Sequence, residues 1–294
     1  MRNIYFVILH YQNKEDTLNC VDSIERLYRK ESLKVNIVLV DNCSPNNSGV
    51  ELKDKYKDRE DIKCILLDKN YGFSKANNIG YEYCKKNQAD IILVINNDII
   101  IEDLDFINKL LEDTEDYDVI APDIINLSNQ HQNPLKKEPY SLKKAIKNMI
   151  YEQLFFIILH IPVFRKIFIY YKGKREERWF DKYYKNNIEI PTDISNFVPF
   201  GAFLIYANNW IKNENKAFVS DTFMYAEEDM LALYIKNRRY KIFYDPNLIV
   251  KHLEGQSTKK SNGNMYEILK FKSKNKAKAL KEYIRFYRNL NEEK

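Results

Sequence analysis

A chain of 294 residues with 45% hydrophobic and 14% aromatic side chains has the material for one large core, and 30% charged residues is ordinary for a soluble protein. No run reaches the ~18 uninterrupted apolar residues of a membrane span, and mean hydropathy is −0.54, so a disordered, collagen-like or membrane-embedded chain is excluded. The net charge of +5 hides segregation: residues 131–180 carry an excess of seven positive charges and residues 263–294 an excess of five, which leaves −7 on the remainder.

The first 125 residues alternate. Apolar runs at 4–9, 35–40, 62–67, 91–95 and 119–121 are separated by polar, helix-period segments at 15–29, 49–58, 74–87 and 104–112. This rhythm predicts βαβ units and a mostly parallel sheet covered on both faces. Such sheets bind ligands at the carboxyl ends of their strands. The residues there are His10-Tyr11-Gln12-Asn13, Asp41-Asn42-Cys43-Ser44, Asp68 to Gly72, and Asn96-Asn97-Asp98.

Residues 126–139 read as a polar loop. Residues 140–171 are apolar and basic, predicting two short helices hinged near Pro162. They pack on the core or lie in a membrane interface. A strand follows at 197–207 around Gly201, a helix at 227–237, and two strands at 240–244 and 248–250. A basic amphipathic helix starts at Asn264. It carries no chemical motif, so its removal is expected to spare donor chemistry. The excess positive charge on the two helical segments suits an anionic lipid surface, and no nucleic-acid-binding motif accompanies it.

Cys20, Cys43, Cys64 and Cys84 form no C-x-x-C pair, and the six-residue apolar run at 4–9 is too short for a signal-peptide core. Reduced thiols and a cytoplasmic location are expected. The seven glycines make neither a G-x-G-x-x-G turn nor a G-x-x-x-x-G-K cradle, so a bound phosphate would rest on a metal or on side chains.

Asp41 can accept hydrogen bonds from a ribose or base, or it can simply close an Asx turn. An apolar strand stops abruptly on Asn96-Asn97-Asp98. That is either a turn and helix cap or a hard-cation site with Asp98 as ligand. Glu227-Glu228-Asp229 put three acids at a helix start, more than dipole complementation needs, so one is a candidate general base. His252, at a strand end, is a candidate second metal ligand.

In this order the motifs resemble the family 2 glycosyltransferases of the GT-A fold, in the rhamnosyltransferase-like and capsular-polysaccharide branch. The resemblance covers roughly residues 3–125 and 196–258. Val40-Asp41-Asn42-Cys43-Ser44 is similar to the family's V-D-N-x-S, and Asn70 to Gly80 to its N-x-G-F-x-x-x-x-N-x-G segment. Asn96-Asn97-Asp98 stands where the family has D-x-D. Phe223 to Asp229, followed by His252-x-x-Gly255-x-Ser257, is similar to the base-bearing helix and the metal-binding histidine.

The resemblance implies an inverting transfer from a UDP- or dTDP-hexose to a hydroxyl of a lipid-linked bacterial surface polysaccharide. The enzyme would sit peripherally at the inner face of the plasma membrane. Tyr11 and Asp41 would hold base and ribose, and Asn70, Gly72, Lys75, Asn78 and Asn97 would line the donor pocket. Gly201 would allow close backbone approach. Asp98 and His252 would hold Mn²⁺ or Mg²⁺. Matching Glu-Asp from Tyr225 without a gap gives Glu227-Glu228, and matching by letter gives Glu228-Asp229; Glu228 is the preferred base. Only the last acid of D-x-D is present. The implied division is a nucleotide-sugar-binding half at 1–125, a helical basic insert at 126–195, an acceptor and catalytic half at 196–262, and a basic amphipathic C-terminal helix at 263–294. The alternatives are a sugar-1-phosphate nucleotidyltransferase, a non-catalytic membrane-surface scaffold, and use of the basic helices as a homodimer interface.

Overall fold

The computed structural model describes residues 2–28, 30–163, 170–171, 174, 197–254 and 265–292. Strand β1 (Arg2–His10) lies at the centre of a parallel set with β2 (Leu33–Asp41), β3 (Ile62–Leu66) and β4 (Ile91–Asn96), in the order β3-β2-β1-β4. Its side chains alternate between two apolar layers, as the period-two geometry of a strand requires. Ile4, Phe6 and Ile8 pack with Cys20, Val21 and Ile24 of α1 (Lys14–Glu25), whereas Val7 packs with Ala76, Tyr81 and Cys84 of α3 (Phe73–Lys86). Fully burying each large apolar side chain is worth ~1.5–3 kcal/mol, which fixes the register of the sheet. That register brings His10 opposite Asp41, Asp41 opposite Leu66 and Leu9 opposite Asn96. The candidate strand ends therefore share one edge.

Helix starts follow local chemistry. The Asn13 side chain accepts from the Asp16 amide to cap α1. The short α2 (Ser48–Lys55) enters against Asp41: a Cβ on Gly49 would stand 2.1 Å from Asp41 Oδ2. Helix α3 starts behind Gly72 at φ +82°, where a Cβ would lie 2.3 Å from the Phe223 carbonyl oxygen. Gly72→Ala should therefore cost at least ~2 kcal/mol and weaken donor binding, read by thermal denaturation and donor titration.

The second half completes the same sheet, with order β3-β2-β1-β4-β7-β6-β8-β5. Strand β7 (Phe203–Tyr206) is antiparallel to both β4 and β6 (Val119–Asn126). Strand β8 (Ile242–His252) is parallel to β6, and the two-residue β5 (Ile99–Ile100) is antiparallel to β8. The fold is α/β with a curled, mostly parallel sheet. Helix α4 (Phe106–Asp113) buries Phe106, Ile107 and Leu110, and α6 (Asn208–Asn213) buries Trp210.

Three expectations change. The run at 240–250 is one strand, because the irregularity at Asp245-Pro246-Asn247 is absorbed as a bulge opposite Pro122 and Asp123. The strand expected at 197–207 shrinks to 203–206: Gly201 lies in a turn, and Val198 leaves the sheet to bridge Lys136. The C-terminal basic helix is no detached appendage. Helices α5 (Leu142–Leu159), α7 (Glu227–Arg238) and α8 (Met265–Glu292) share an apolar layer of Ala145, Met230, Ala279, Leu280 and Tyr283. Helix α5 covers the first half of the predicted helical insert, and its expected partner beyond Pro162 lies largely outside the described residues, as do Gly255 and Ser257. All four cysteines are unbridged. Among the described residues no helix is long and apolar enough to cross a membrane.

Candidate active site

Pairing of β5 with β8 sets Ile99 opposite His252, and the Leu253 amide donates to the Asp98 carbonyl at 2.9 Å. The Asp98 carboxylate and the His252 imidazole consequently meet, Oδ1 to Nε2, at 3.3 Å. The Gln132 amide nitrogen donates to Glu254 at 2.9 Å, which turns Gln132 Oε1 toward His252 Nδ1 at 2.7 Å. The Nδ1 proton is thereby held by Gln132, and Nε2 is directed at Asp98.

A carboxylate oxygen and an oriented imidazole nitrogen facing each other fit a hard divalent cation. The described residues hold no cluster of three or more His, Cys, Asp or Glu side chains that could hold a metal. A cation here would complete its shell with water and phosphate oxygens, the usual habit of Mg²⁺ in nucleotide sites.

The His252 ring lies 5.8 Å from the Phe200 ring, and the next residue is Gly201. A Cβ on Gly201 would stand 3.2 Å from Glu228 Oε1 and 3.5 Å from the Phe73 ring. Gly201 thus stands between Glu228 of α7 and Phe73 at the start of α3, one residue after the Phe200 ring that meets His252. The β4 end joins it, since the Asn96 amide donates to the Ala202 carbonyl at 2.9 Å. The glycine gives room to Glu228.

Helix α7 begins after Tyr225 (φ 75°) and Ala226 (φ 62°), two successive left-handed non-glycine residues. Such strain costs of order 1–3 kcal/mol per residue and persists only where packing over-determines it. Burial of Ala226 against α8 residues does so. The three acids that follow have different surroundings. Glu227 is buried, and burial followed by the Glu228 charge holds its carboxyl well above the usual range. Glu228 keeps part of its surface open, yet the surrounding protein pushes its carboxyl up to about 7; Asp229 adds to the rise, whereas Lys136 and the Gly201 backbone oppose it. Asp229 is engaged: it accepts from Lys136 Nζ at 2.7 Å and from the Tyr140 amide at 2.9 Å.

Lys136 also sits 3.4 Å above the Tyr140 ring. The Tyr283 hydroxyl of α8 donates to the Tyr140 carbonyl, so the C-terminal helix reaches the acidic cluster through one residue. The expectation that its removal spares donor chemistry is thereby set against a packing contact with the residue that holds Asp229. Removing Lys136 deletes a cation that lowers the Glu228 pKa, so Lys136→Met should move the acid limb of the kcat–pH profile upward by roughly one unit. Lys136→Arg should leave it near the wild-type position.

The other candidates divide. Asn70 accepts from the Asn42 amide at 3.0 Å and from the Gly72 amide at 2.9 Å, and Asn42 in turn accepts from the Tyr71 amide at 2.8 Å. Together they shape the loop before α3, and the Phe73 amide ties it to the Phe223 carbonyl at 2.7 Å. Asn78 is buried and exchanges two hydrogen bonds with the Phe218 backbone, so it clamps α3 rather than facing the cleft. Asn97 donates to Thr17 Oγ1 at 2.9 Å and to the Asn13 carbonyl, which turns it toward α1. Lys75 is exposed, 4.6 Å over the Tyr71 ring. Asp41 accepts from Ser44 and lies 4.0 Å from His10 Nε2. Tyr11 is 38% exposed beside that edge. His10, buried between Thr17 Oγ1 (2.7 Å) and Ser48 Oγ (2.8 Å), is held down to about 4 by burial and ties β1 to both helices. Lys136, Gln132 and Phe200 were not singled out from sequence, and Asn42 entered only within the strand-end run Asp41-Asn42-Cys43-Ser44. Only Asn42 carried a signal, as an amide beside a strand-end acid.

The sequence profile of Glycosyl transferase family 2 matches residues 5–202. The chain belongs to glycosyl transferase family 2. The dTDP-rhamnosyl transferase RfbF of Shigella flexneri is 33% identical over 135 residues, 45% of this chain and 42% of that protein. The match thus spans under half the length of that relative. Among solved structures, S. aureus TarS 1–349 in complex with UDP aligns at TM-score 0.52 and 13% identity, covering 92% of this chain and 65% of that one. The mannosyltransferase PcManGT from Pyrobaculum calidifontis, in complex with GDP-Man and Mn²⁺, aligns at 0.55 and 11%, covering 86% and 57%. These likenesses establish the GT-A fold of the family 2 chain.

Proposed function

We propose that this family 2 protein is an inverting hexosyltransferase. It moves a sugar from a UDP- or dTDP-hexose to a hydroxyl of a growing lipid-linked bacterial surface polysaccharide. The observation that carries the reading is Glu228: a carboxylate pushed up to about 7 beside Gly201, the residue that follows the Phe200 ring packed on His252. A base with a pKa near the working pH takes a proton most effectively as its acceptor attacks.

Glu228 would remove the acceptor hydroxyl proton while the oxygen attacks the anomeric carbon from the face opposite the nucleotide. One displacement inverts the centre. Burial holds the Glu227 carboxyl well above its usual range, which disfavours a second anion beside Glu228. Lys136 and Asp229 would hold the helix start and tune Glu228. Asp98 and His252 would hold Mn²⁺ or Mg²⁺, which offsets charge on the departing diphosphate when bound. Asp41 and Tyr11 would meet the nucleoside, and the Asn70–Gly72 loop would line the sugar side.

The dTDP-rhamnosyl transferase relative and the UDP complex of TarS support a pyrimidine-nucleotide donor. The basic pair α5 and α8 supports work at a membrane in the cytoplasm, with the lipid-linked acceptor at its inner face. A nucleotidyltransferase reading loses ground to the family match, and a scaffold reading leaves the tuned Glu228 without a role. Screening UDP-, dTDP- and GDP-sugars for thermal shift and hydrolysis, with and without Mn²⁺, tests the proposal. Binding of a UDP- or dTDP-sugar strengthened by Mn²⁺ is expected. Absence of binding by every nucleotide sugar would refute it.

A further inference from the structure

Away from the strand ends, helices α5 and α8 enclose a groove of about 570 Å³. Its apolar floor is Ile146, Met149 and Ile284, and its wall is Lys281, Arg285 and Arg288. The three cations recur at i, i+4 and i+7 and so stand on one face of α8. Glu292 lines one end. Arg285 comes within 3.9 Å of Glu282, a loose surface contact that leaves its guanidinium able to take a better acceptor.

The adjoining face of α5 carries a second feature. Ile150, Leu154, Ile157 and Ile161 are 46%, 55%, 58% and 40% exposed. Single exposed apolar residues are ordinary. Ile150, Leu154 and Ile157, at i, i+4 and i+7, form a continuous ridge along α5, and Ile161 lies just past the end of that helix. Exposed Lys143 and Lys147 flank the start of the ridge, the arrangement of a helix that lies in a lipid interface. Ridge and groove are neighbours, since Met149 and Gln153 of the groove adjoin Ile150 and Leu154 of the ridge.

We propose that the α5–α8 groove seats the phosphate headgroup of an anionic membrane phospholipid while the α5 ridge enters the acyl layer beside it. Three forked or flexible donors converge over an apolar floor. This matches a ligand that is anionic at one end and apolar at the other, and it fits a free phosphate poorly. The inference deepens the membrane part of the proposed function and rests on it. It adds a defined site to what would otherwise be diffuse attraction. It also explains how the membrane-facing layer meets the chemistry: α8 touches Tyr140 through Tyr283, and Tyr140 touches Asp229.

The test is co-sedimentation of the full chain with phosphatidylcholine vesicles, with and without phosphatidylglycerol. The groove variant Lys281→Ala/Arg285→Ala/Arg288→Ala is compared with a charge-matched control, Lys34→Ala/Lys53→Ala/Lys57→Ala, on the far side of the sheet. Wild type should bind the phosphatidylglycerol vesicles. The groove variant should lose on the order of a hundredfold in partition, as three basic residues at an anionic surface imply, and the control only a few-fold. Donor hydrolysis in solution should be kept by both variants. If both lose binding equally, the attraction is diffuse and the groove site is wrong, although the membrane reading survives. If wild type ignores anionic vesicles and the groove variant instead shifts a monomer–dimer equilibrium in sedimentation velocity, the face joins two copies. Site and membrane reading then both fail.

Discussion

Replacing Glu228 by Gln should lower kcat by ~10²–10⁴ while leaving the donor KM within a few-fold, because a general base acts in the transition state and not on the bound donor. The substitution keeps the shape of the side chain beside Gly201, so neither folding nor donor fit should suffer. Asp229→Asn is the informative partner. Asp229 accepts from Lys136 and from the Tyr140 amide, so its loss leaves the half-buried Lys136 without its counter-charge. A lower melting temperature with a smaller kcat effect is expected. A large kcat loss in Asp229→Asn with near-normal Glu228→Gln would transfer the base to Asp229. Steady-state kinetics and thermal denaturation of the two variants decide between these outcomes.

Asp98→Ala should abolish the strengthening of donor binding by Mn²⁺. It should leave metal-free stability close to wild type, since a strand-end carboxylate contributes no apolar core. Gln132→Ala should weaken the metal effect by ~10–100-fold without touching a ligand, because it holds the His252 tautomer. Calorimetric titration of the donor at increasing Mn²⁺ reads both. A metal dependence unchanged in Asp98→Ala would remove Asp98 and His252 from the site.

How much of this was legible in the sequence follows from the range of the interactions involved. Alternating apolar runs revealed the parallel half of the sheet, because strands buried on both faces read as uninterrupted Ile, Val and Leu. The antiparallel β7 was legible only as part of a longer run at 197–207, and the two-residue β5 left no trace. They are short, and their place depends on partners far along the chain. Asp98 and His252 could be read as strand-end ligands, but their meeting required the β5–β8 register, which joins residues more than 150 positions apart. The choice of Glu228 over Asp229 was open in the sequence. Lys136 and Tyr140, which engage Asp229, leave Glu228 as the proposed base. Neither carries a motif. The donor-pocket expectation for Asn78 and Asn97 ran the other way: amides suited to a ligand turned inward to backbone carbonyls and a hydroxyl, a use that sequence spacing cannot distinguish. The basic helices looked like appendages because charge dominates their composition, while the alanines and Tyr283 that bury them are few.

The most direct measurement is the anomeric configuration of the first product. With the donor identified by screening, the transferred or hydrolysed sugar is followed by proton NMR at early times, before any free sugar mutarotates. A product of opposite configuration to the donor, formed by wild type and nearly lost in Glu228→Gln, is expected for a single displacement with Glu228 as base. A product that retains the donor's configuration, or one formed at an undiminished rate by Glu228→Gln, would contradict it.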